Sequence, residues 1–206
     1  QTLSHLPVTL VQQDQQDGTG AAVLLALPHC QHSEHVFIWY ADMPLVRSSD
    51  VISILGQADD KSINLVTLIQ PEPFGMGRIV RNNSSVTQIV EEKDASDRQK
   101  AISEVFSGMM RVPTKVLGNL LPMCDRSNQQ AEILLTDIVA LANQQAININ
   151  PIIAENPDYF IGINEPRQWS QAERLLQQSY VLDLQHQGAM IADPSRCDIR
   201  GDVTVG

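Results

Sequence analysis

The stretch Phe37-Ile38-Trp39-Tyr40-Ala41-Asp42-Met43-Pro44-Leu45 decides the fold. Its run of β-branched and aromatic residues predicts a buried strand. The strand ends by delivering a carboxylate, Asp42. Pro44 then stops the ladder, because it has no N–H to donate. In open α/β sheets ligands collect just beyond the carboxyl ends of strands. An Asp at that place suits Mg²⁺, which takes oxygen ligands and often reaches a substrate through its phosphates. Taken alone, the stretch reads more readily as an Asp that caps the next helix or turn, since caps are commoner than metal sites. The rest of the chain reverses that preference.

Working outward, Ser48 to Leu55 suits a helix with a Ser cap and an apolar face at Val51, Ile54 and Leu55. Ile63 to Ile69 is a second apolar strand, and the alternation of strand and helix points to βαβ units and a parallel sheet. On the other side, Val8 to Gln12 reads as a short strand. It leads into Gln13-Asp14-Gln15-Gln16-Asp17-Gly18-Thr19-Gly20 and an apolar helix from Ala21, with Thr19 near its cap. A helix N-terminus preceded by flexible backbone can receive an anion or a polar ligand. His29, His32 and His35 lie between a helix and a strand, where exposed polar residues are expected, and are not read as metal ligands.

Further along, Pro73 to Arg81 and Val86 to Glu91 flank the turn Asn82-Asn83-Ser84-Ser85 and predict a β-hairpin. Glu91-Glu92-Lys93-Asp94-Ala95, on its own, reads as a solvated loop. Asp97 to Ile102 is a short helix, Val105 to Val112 a strand, and Pro113 opens a helix through Leu121. Arg126 to Gln130 is a polar loop, Ala131 to Asn143 a helix and Ile147 to Ile153 a strand. Phe160 to Asn164 forms an apolar turn. Pro166 opens a long helix to about Gln187, which Gly188 ends. The tail from Met190 changes character to strand-like residues with spaced glycines.

The 206 residues suit one α/β domain, or one domain with a short appendage. A net charge of -10 and a pI near 4.8 argue against a nucleic-acid backbone or an anionic membrane as partner. They leave a nucleotide open, since that needs only a local cluster of donors and a metal. No apolar run is long enough to span a bilayer and no signal peptide opens the chain. Cys30, Cys124 and Cys197 are odd in number and widely spaced, as expected of reduced thiols in a cytoplasmic protein.

In order along the chain stand GTG, the strand ending in ADMPL, FGMGRIVR, IVEEKDA, SEVFSG, LTDI, GIN and the final DP…IRG…G. That order, from about Leu10 to Gly206, resembles the N-acetylglucosamine-1-phosphate uridyltransferase domain of the bacterial bifunctional enzymes that make UDP-N-acetylglucosamine. The resemblance implies an α/β, Rossmann-like nucleotidyltransferase fold with an inserted hairpin. It implies uridylyl transfer from UTP to N-acetylglucosamine 1-phosphate, with release of pyrophosphate and with Mg²⁺ as cofactor. Carried over position by position, it places Gln13, Gly18 and Thr19 on the nucleotide. Asp42 and Asn164 fall on the metal pair, and Gly77, Glu91, Thr136 and Asn164 on the sugar. A carboxamide such as Gln13 offers the donor and acceptor that complement uracil's imide edge.

The family's Gly-rich phosphate loop, with its Arg and Lys, has no counterpart before Gln1-Thr2-Leu3, so no catalytic residue is assigned. The sequence reads as a uridyltransferase-like domain over 1–187, without the first strand and phosphate loop. Residues 188–206 read as a linker and first turn toward a left-handed β-helix domain. Weak or absent activity of the isolated chain is the expectation, with an exposed sheet edge available for self-association. Ala41, Ala21, Phe106 and Leu134 replace the usual Gly, His, Asn and Tyr. The alternative reading is a degenerate, non-catalytic module that binds a nucleotide sugar or another subunit.

Overall fold

The computed structural model describes residues 6–206; the first five residues of the expected domain lie outside them. Six strands form one sheet: β1 (His35–Trp39), β2 (Ile63–Ile69), β3 (Arg78–Asn82), β4 (Ser85–Val90), β5 (Glu104–Pro113) and β6 (Ile149–Ile153). The helices are α1 (Thr19–Ala26), α2 (Ser48–Gly56), α3 (Asp97–Lys100), α4 (Thr114–Leu120), α5 (Asp137–Gln144) and α6 (Pro166–His186). The chain divides into two units. One holds residues 6–39 and 52–155 with the whole sheet, and the other holds residues 40–51 and 156–206.

The sheet runs β4-β3-β5-β2-β6, with β1 also paired to β5. The expected parallel sheet is corrected here. β5 runs antiparallel to β1, β2 and β3, which share one direction, and among the hydrogen-bonded neighbours described β2 and β6 form the parallel pair. The cause is the connection into β5. The β3–β4 hairpin and the four-residue α3 supply no crossover helix, so the chain returns in the opposite direction between β1 and β2. The route from β1 to β2 does contain a helix, α2, and those two strands run in the same direction. Asn83, at φ 55°, makes the hairpin turn in the left-handed region that Asn tolerates.

Two further expectations are corrected. Val8 to Gln12 forms no strand; Leu10 is 76% exposed, and among the described residues no ladder pairs with this segment. The helix expected from Ala131 begins only at Asp137. Its would-be first turns are used elsewhere, because Ile133 and Leu135 bond backbone and side-chain groups of the loop before α1.

The core of the first unit packs the sheet against α4 and α5. Ile63, Leu65, Leu68, Met109, Met110, Leu117, Leu120 and Ile138 are fully buried. In the second unit, α6 opens with Pro166 at its first turn and a reciprocal Glu165–Gln168 capping box. The tail lies along it: Gln177 Oε1 accepts from Ile199 N at 2.6 Å and Arg174 pairs with Asp198 at 2.9 Å. Among the described residues no helix is long and apolar enough to cross a membrane.

The hairpin is pinned by a buried cation. Arg78, 2% exposed, pairs with Glu92 at 2.5 Å and donates to the carbonyls of Met76 and Lys100. Removing one partner of such a pair strands the other charge in a dry site. Glu92→Ala is therefore expected to destabilise the chain by about 3 kcal/mol, while replacing both residues by apolar ones recovers most of that loss. Denaturant midpoints of the single and double variants check it.

Candidate active site

The register of the hairpin places Arg78 opposite Val90, so Gly77 and Glu91 meet at its open end. A side chain at position 77 has no room: its Cβ would stand 2.8 Å from Ile89 Cγ2 and 3.4 Å from a Glu91 carboxylate oxygen. Thr136 occupies the N-cap position of α5, yet its hydroxyl makes no cap bond. It donates instead to Glu91 Oε1 at 2.9 Å. Three residues that are far apart in sequence, Gly77, Glu91 and Thr136, are thus brought together. Burial pushes the Glu91 carboxyl above its usual range, the Thr136 hydroxyl partly offsets this, and nearby Asp94 adds to the rise. The solvated reading of the EEKDA run fails for its first two residues, since Glu91 and Glu92 both have specific partners.

Phe106 N donates to Gly77 O at 2.8 Å, which sets Phe106 beside the same cluster. Phe106 and Leu134 are 6% and 7% exposed. Both present hydrocarbon where the resemblance leads one to expect an amide and a phenol. A cavity of about 400 Å³ adjoins Glu91 and is also lined by Asp94, Cys124, Asp125 and Asp137. Burial, followed by the charges of Asp125, Glu91 and Asp94, pushes Asp137 up to about 6. The Cys124 thiol is pushed up to about 12, mainly by burial, so it stays protonated and unreactive at neutral pH.

Gln13, Gly18 and Thr19 lie together at the start of α1. Gln13 Nε2 donates to Gly18 O at 3.4 Å. Gly18 has φ 103°, and a Cβ there would stand 2.5 Å from Ile133 O. The glycine is demanded by the protein's own packing. Thr19 lies next to the cap of α1, as expected. The N-cap is Gly18, and the Thr19 hydroxyl accepts from Leu135 N at 3.1 Å.

In the second unit, Asp42 and Asn164 are adjacent. Asn164 Nδ2 lies 3.4 Å from Asp42 Oδ2, and Ile163 N donates to Asp42 O at 2.9 Å. Gly162 makes the approach feasible, since a Cβ there would stand 2.5 Å from Asp42 Oδ2. A carboxylate and a carboxamide form a hard-oxygen donor pair. That fits Mg²⁺, which keeps several waters and needs few protein ligands. Among the described residues no group of three or more His, Cys, Asp or Glu side chains could hold a metal.

Sequence reasoning missed the ion pair between Asp17 and Arg126, at 2.9 Å, which ties the loop before α1 to the 126–135 segment. The two residues stand 109 positions apart, and no local pattern links them.

The Asp137 carboxyl supplies a pH test. Its folded value, about 6, lies above the usual 3.8, so the folded chain holds the proton more tightly. The stability it contributes is present at low pH and is lost as pH rises from about 4 to about 6. Discounted for its partial exposure, this amounts to about 1 kcal/mol. Asp137→Asn should therefore gain that much on the wild-type chain between pH 4 and pH 6.5, read from denaturant midpoints. A constant difference would contradict the assignment.

Known proteins similar to this chain bear on its family and fold. A family model described as a MobA-like NTP transferase domain matches residues 1–104, half of the chain. The chain is 41% identical over 207 residues to a protein of Idiomarina loihiensis named Bifunctional protein GlmU. It is 42% identical over 210 residues to a protein of the same name from a Psychrobacter species. In both cases the match covers 100% of this chain and 45% of the relative, so the chain spans about half the length of the curated relatives it matches. Among solved structures, the UTP-bound UGPase from Acinetobacter baumannii superposes with a TM-score of 0.59 at 18% identity, covering 87% of this chain and 62% of that one. At that identity the likeness speaks for the fold alone. The chain has an α/β Rossmann-like nucleotidyltransferase fold and belongs to the MobA-like NTP transferase domain family.

Proposed function

We propose that this domain handles UTP, N-acetylglucosamine 1-phosphate and UDP-N-acetylglucosamine, as a uridyltransferase of sugar-nucleotide synthesis in the cytoplasm. The observation that carries the reading is the half-buried Glu91 carboxylate, with one oxygen held by Thr136 and the glycine backbone of residue 77 beside it. A fixed acceptor, a hydroxyl and a bare backbone together suit sugar hydroxyls and an acetamido N–H. A hydroxyl-binding site of this kind also rejects analogues that leave its buried groups unpaired. The relatives named Bifunctional protein GlmU support nucleotidyl transfer in sugar-nucleotide synthesis.

The proposed roles divide between the units. In the first, Gln13 reads the uracil edge from a loop whose Gly18 backbone leaves that edge clear, with Thr19 bracing the loop. Gly77, Glu91 and Thr136 hold the sugar. In the second, Asp42 and Asn164 would hold Mg²⁺. The metal's contribution is to neutralise charge on the reacting phosphates. The transfer itself is in-line attack of a sugar-phosphate oxygen on the α-phosphorus of UTP, breaking the bond to the β-phosphate and releasing pyrophosphate. The protein acts chiefly by positioning and charge.

Phe106 favours a second reading, a non-catalytic module that binds a nucleotide sugar. Its buried phenyl offers no hydrogen bond beside Gly77.

Calorimetric titration with UDP-N-acetylglucosamine, with and without Mg²⁺, tests the proposal. Binding is expected, strengthened by Mg²⁺, and Asp42→Ala should remove the metal-dependent part. Glu91→Ala should weaken binding about 10- to 100-fold, the range for losing hydrogen bonds to a charged group. Absence of binding under every condition contradicts the reading. Pyrophosphate release from UTP and N-acetylglucosamine 1-phosphate separates the enzyme from the module.

A further inference from the structure

The segment 126–136 is bonded at one end to the loop before α1 and at the other to the hairpin end. Ile133 N donates to Asp17 O at 2.8 Å, Ile133 O accepts from Gly20 N at 2.8 Å, and Leu135 N donates to the Thr19 hydroxyl at 3.1 Å. Thr136 follows at once and donates to Glu91. Closer to its start, Gln129 N donates to Asp94 Oδ1 at 3.0 Å and Gln129 Nε2 to Lys93 O at 2.6 Å. Arg126 closes the arrangement. It reaches both carboxylate oxygens of Asp17, at 2.9 and 3.3 Å, and donates to Ala131 O at 3.3 Å. The left-handed Ala131, at φ 54°, is held by this bond and by Ala131 N donating to Asn128 O at 3.0 Å.

Such a segment cannot shift alone. If the Asp17–Arg126 pair opens, the bonds at Ile133 and Leu135 lose their support, and the aim of the next residue's hydroxyl goes with them. Exposed ion pairs contribute little to overall stability. This one is bidentate and joins positions 109 apart, a geometry that fixes placement.

We infer that Asp17 and Arg126 are positioning residues: through the strap 131–136 they hold the Thr136–Glu91 pair in place and couple the Gln13–Thr19 loop to it. The functional meaning rests on the nucleotide-sugar reading given above. On that reading the nucleotide end and the sugar end of one ligand are recognised by a single hydrogen-bonded unit.

The test needs no ligand, so its failure is separate from failure of that reading. The Glu91 carboxyl is titrated by carbon-detected NMR in the free chain. Thr136→Val removes the bond directly and should raise the Glu91 midpoint, since the hydroxyl favours the ionised form. Asp17→Ala should raise it also, by about half a pH unit. The sign decides between explanations. Deleting a nearby negative charge would by itself lower the Glu91 midpoint, whereas loosening the strap raises it. Arg126→Ala should raise it as well, and Arg126→Lys should restore part of the change. A Glu91 midpoint that falls or stays unmoved in Asp17→Ala overturns the inference. So does an unmoved midpoint in Thr136→Val, because the strap would then end on no bond.

Discussion

β5 is the strand on which the rest of the structure depends. It is ten residues long and lends its two edges to three partners: β1 beside its C-terminal half, β3 at its N-terminal end and β2 along the opposite edge. Its central residues Val105 to Met110 are buried, and Gly108 takes φ 91° where the register with β2 shifts. That irregularity lets one strand serve partners of different alignment. Because β5 is antiparallel to its neighbours, β3 begins beside Val105 and Phe106, and the hairpin presents Gly77 and Glu91 at its open end. The polar cluster is therefore a consequence of how the sheet is laced.

Around that cluster, two hydroxyls are committed to tertiary bonds. Thr136 gives up a cap bond to reach Glu91, and Thr19, beside the Gly18 cap, holds Leu135. Helix ends without side-chain caps lose stability on the order of 1 kcal/mol each. Both hydroxyls are spent on tertiary placement, as expected where a site must be pre-organised. The cavity beside Glu91 gathers carboxylates, while Arg126 pairs with Asp17. Burial, then the charges of Asp125, Glu91 and Asp94, leave Asp137 half-neutral near pH 6.

Much of the fold was legible in the sequence. The strands over 63–69 and 105–112, the hairpin and the long helix from Pro166 follow from apolar runs, a polar turn and end signals that act within a few residues. The direction of β5 was not legible, because strand pairing is decided by connections and partners distant in the chain. The late start of α5 was hidden for a similar reason. Ile133, Leu134 and Leu135 have helical spacing, but their backbone is claimed by the loop at 17–20. Of the site, the order of motifs singled out Gly77, Glu91 and Thr136, and separately Asp42 and Asn164, and each set is found in mutual contact. The Asp17–Arg126 pair left no trace in local pattern.

The central claim is that Gly77, Glu91 and Thr136 form the polar heart of a nucleotide-sugar site. Amide chemical-shift mapping during titration with UDP-N-acetylglucosamine and Mg²⁺ tests it most directly. The account predicts that the largest changes fall on Gly18, Gly77, Glu91 and Thr136, with Mg²⁺-dependent changes at Asp42 and Asn164. Changes confined to the α6 surface and the tail, with those residues silent, would contradict it.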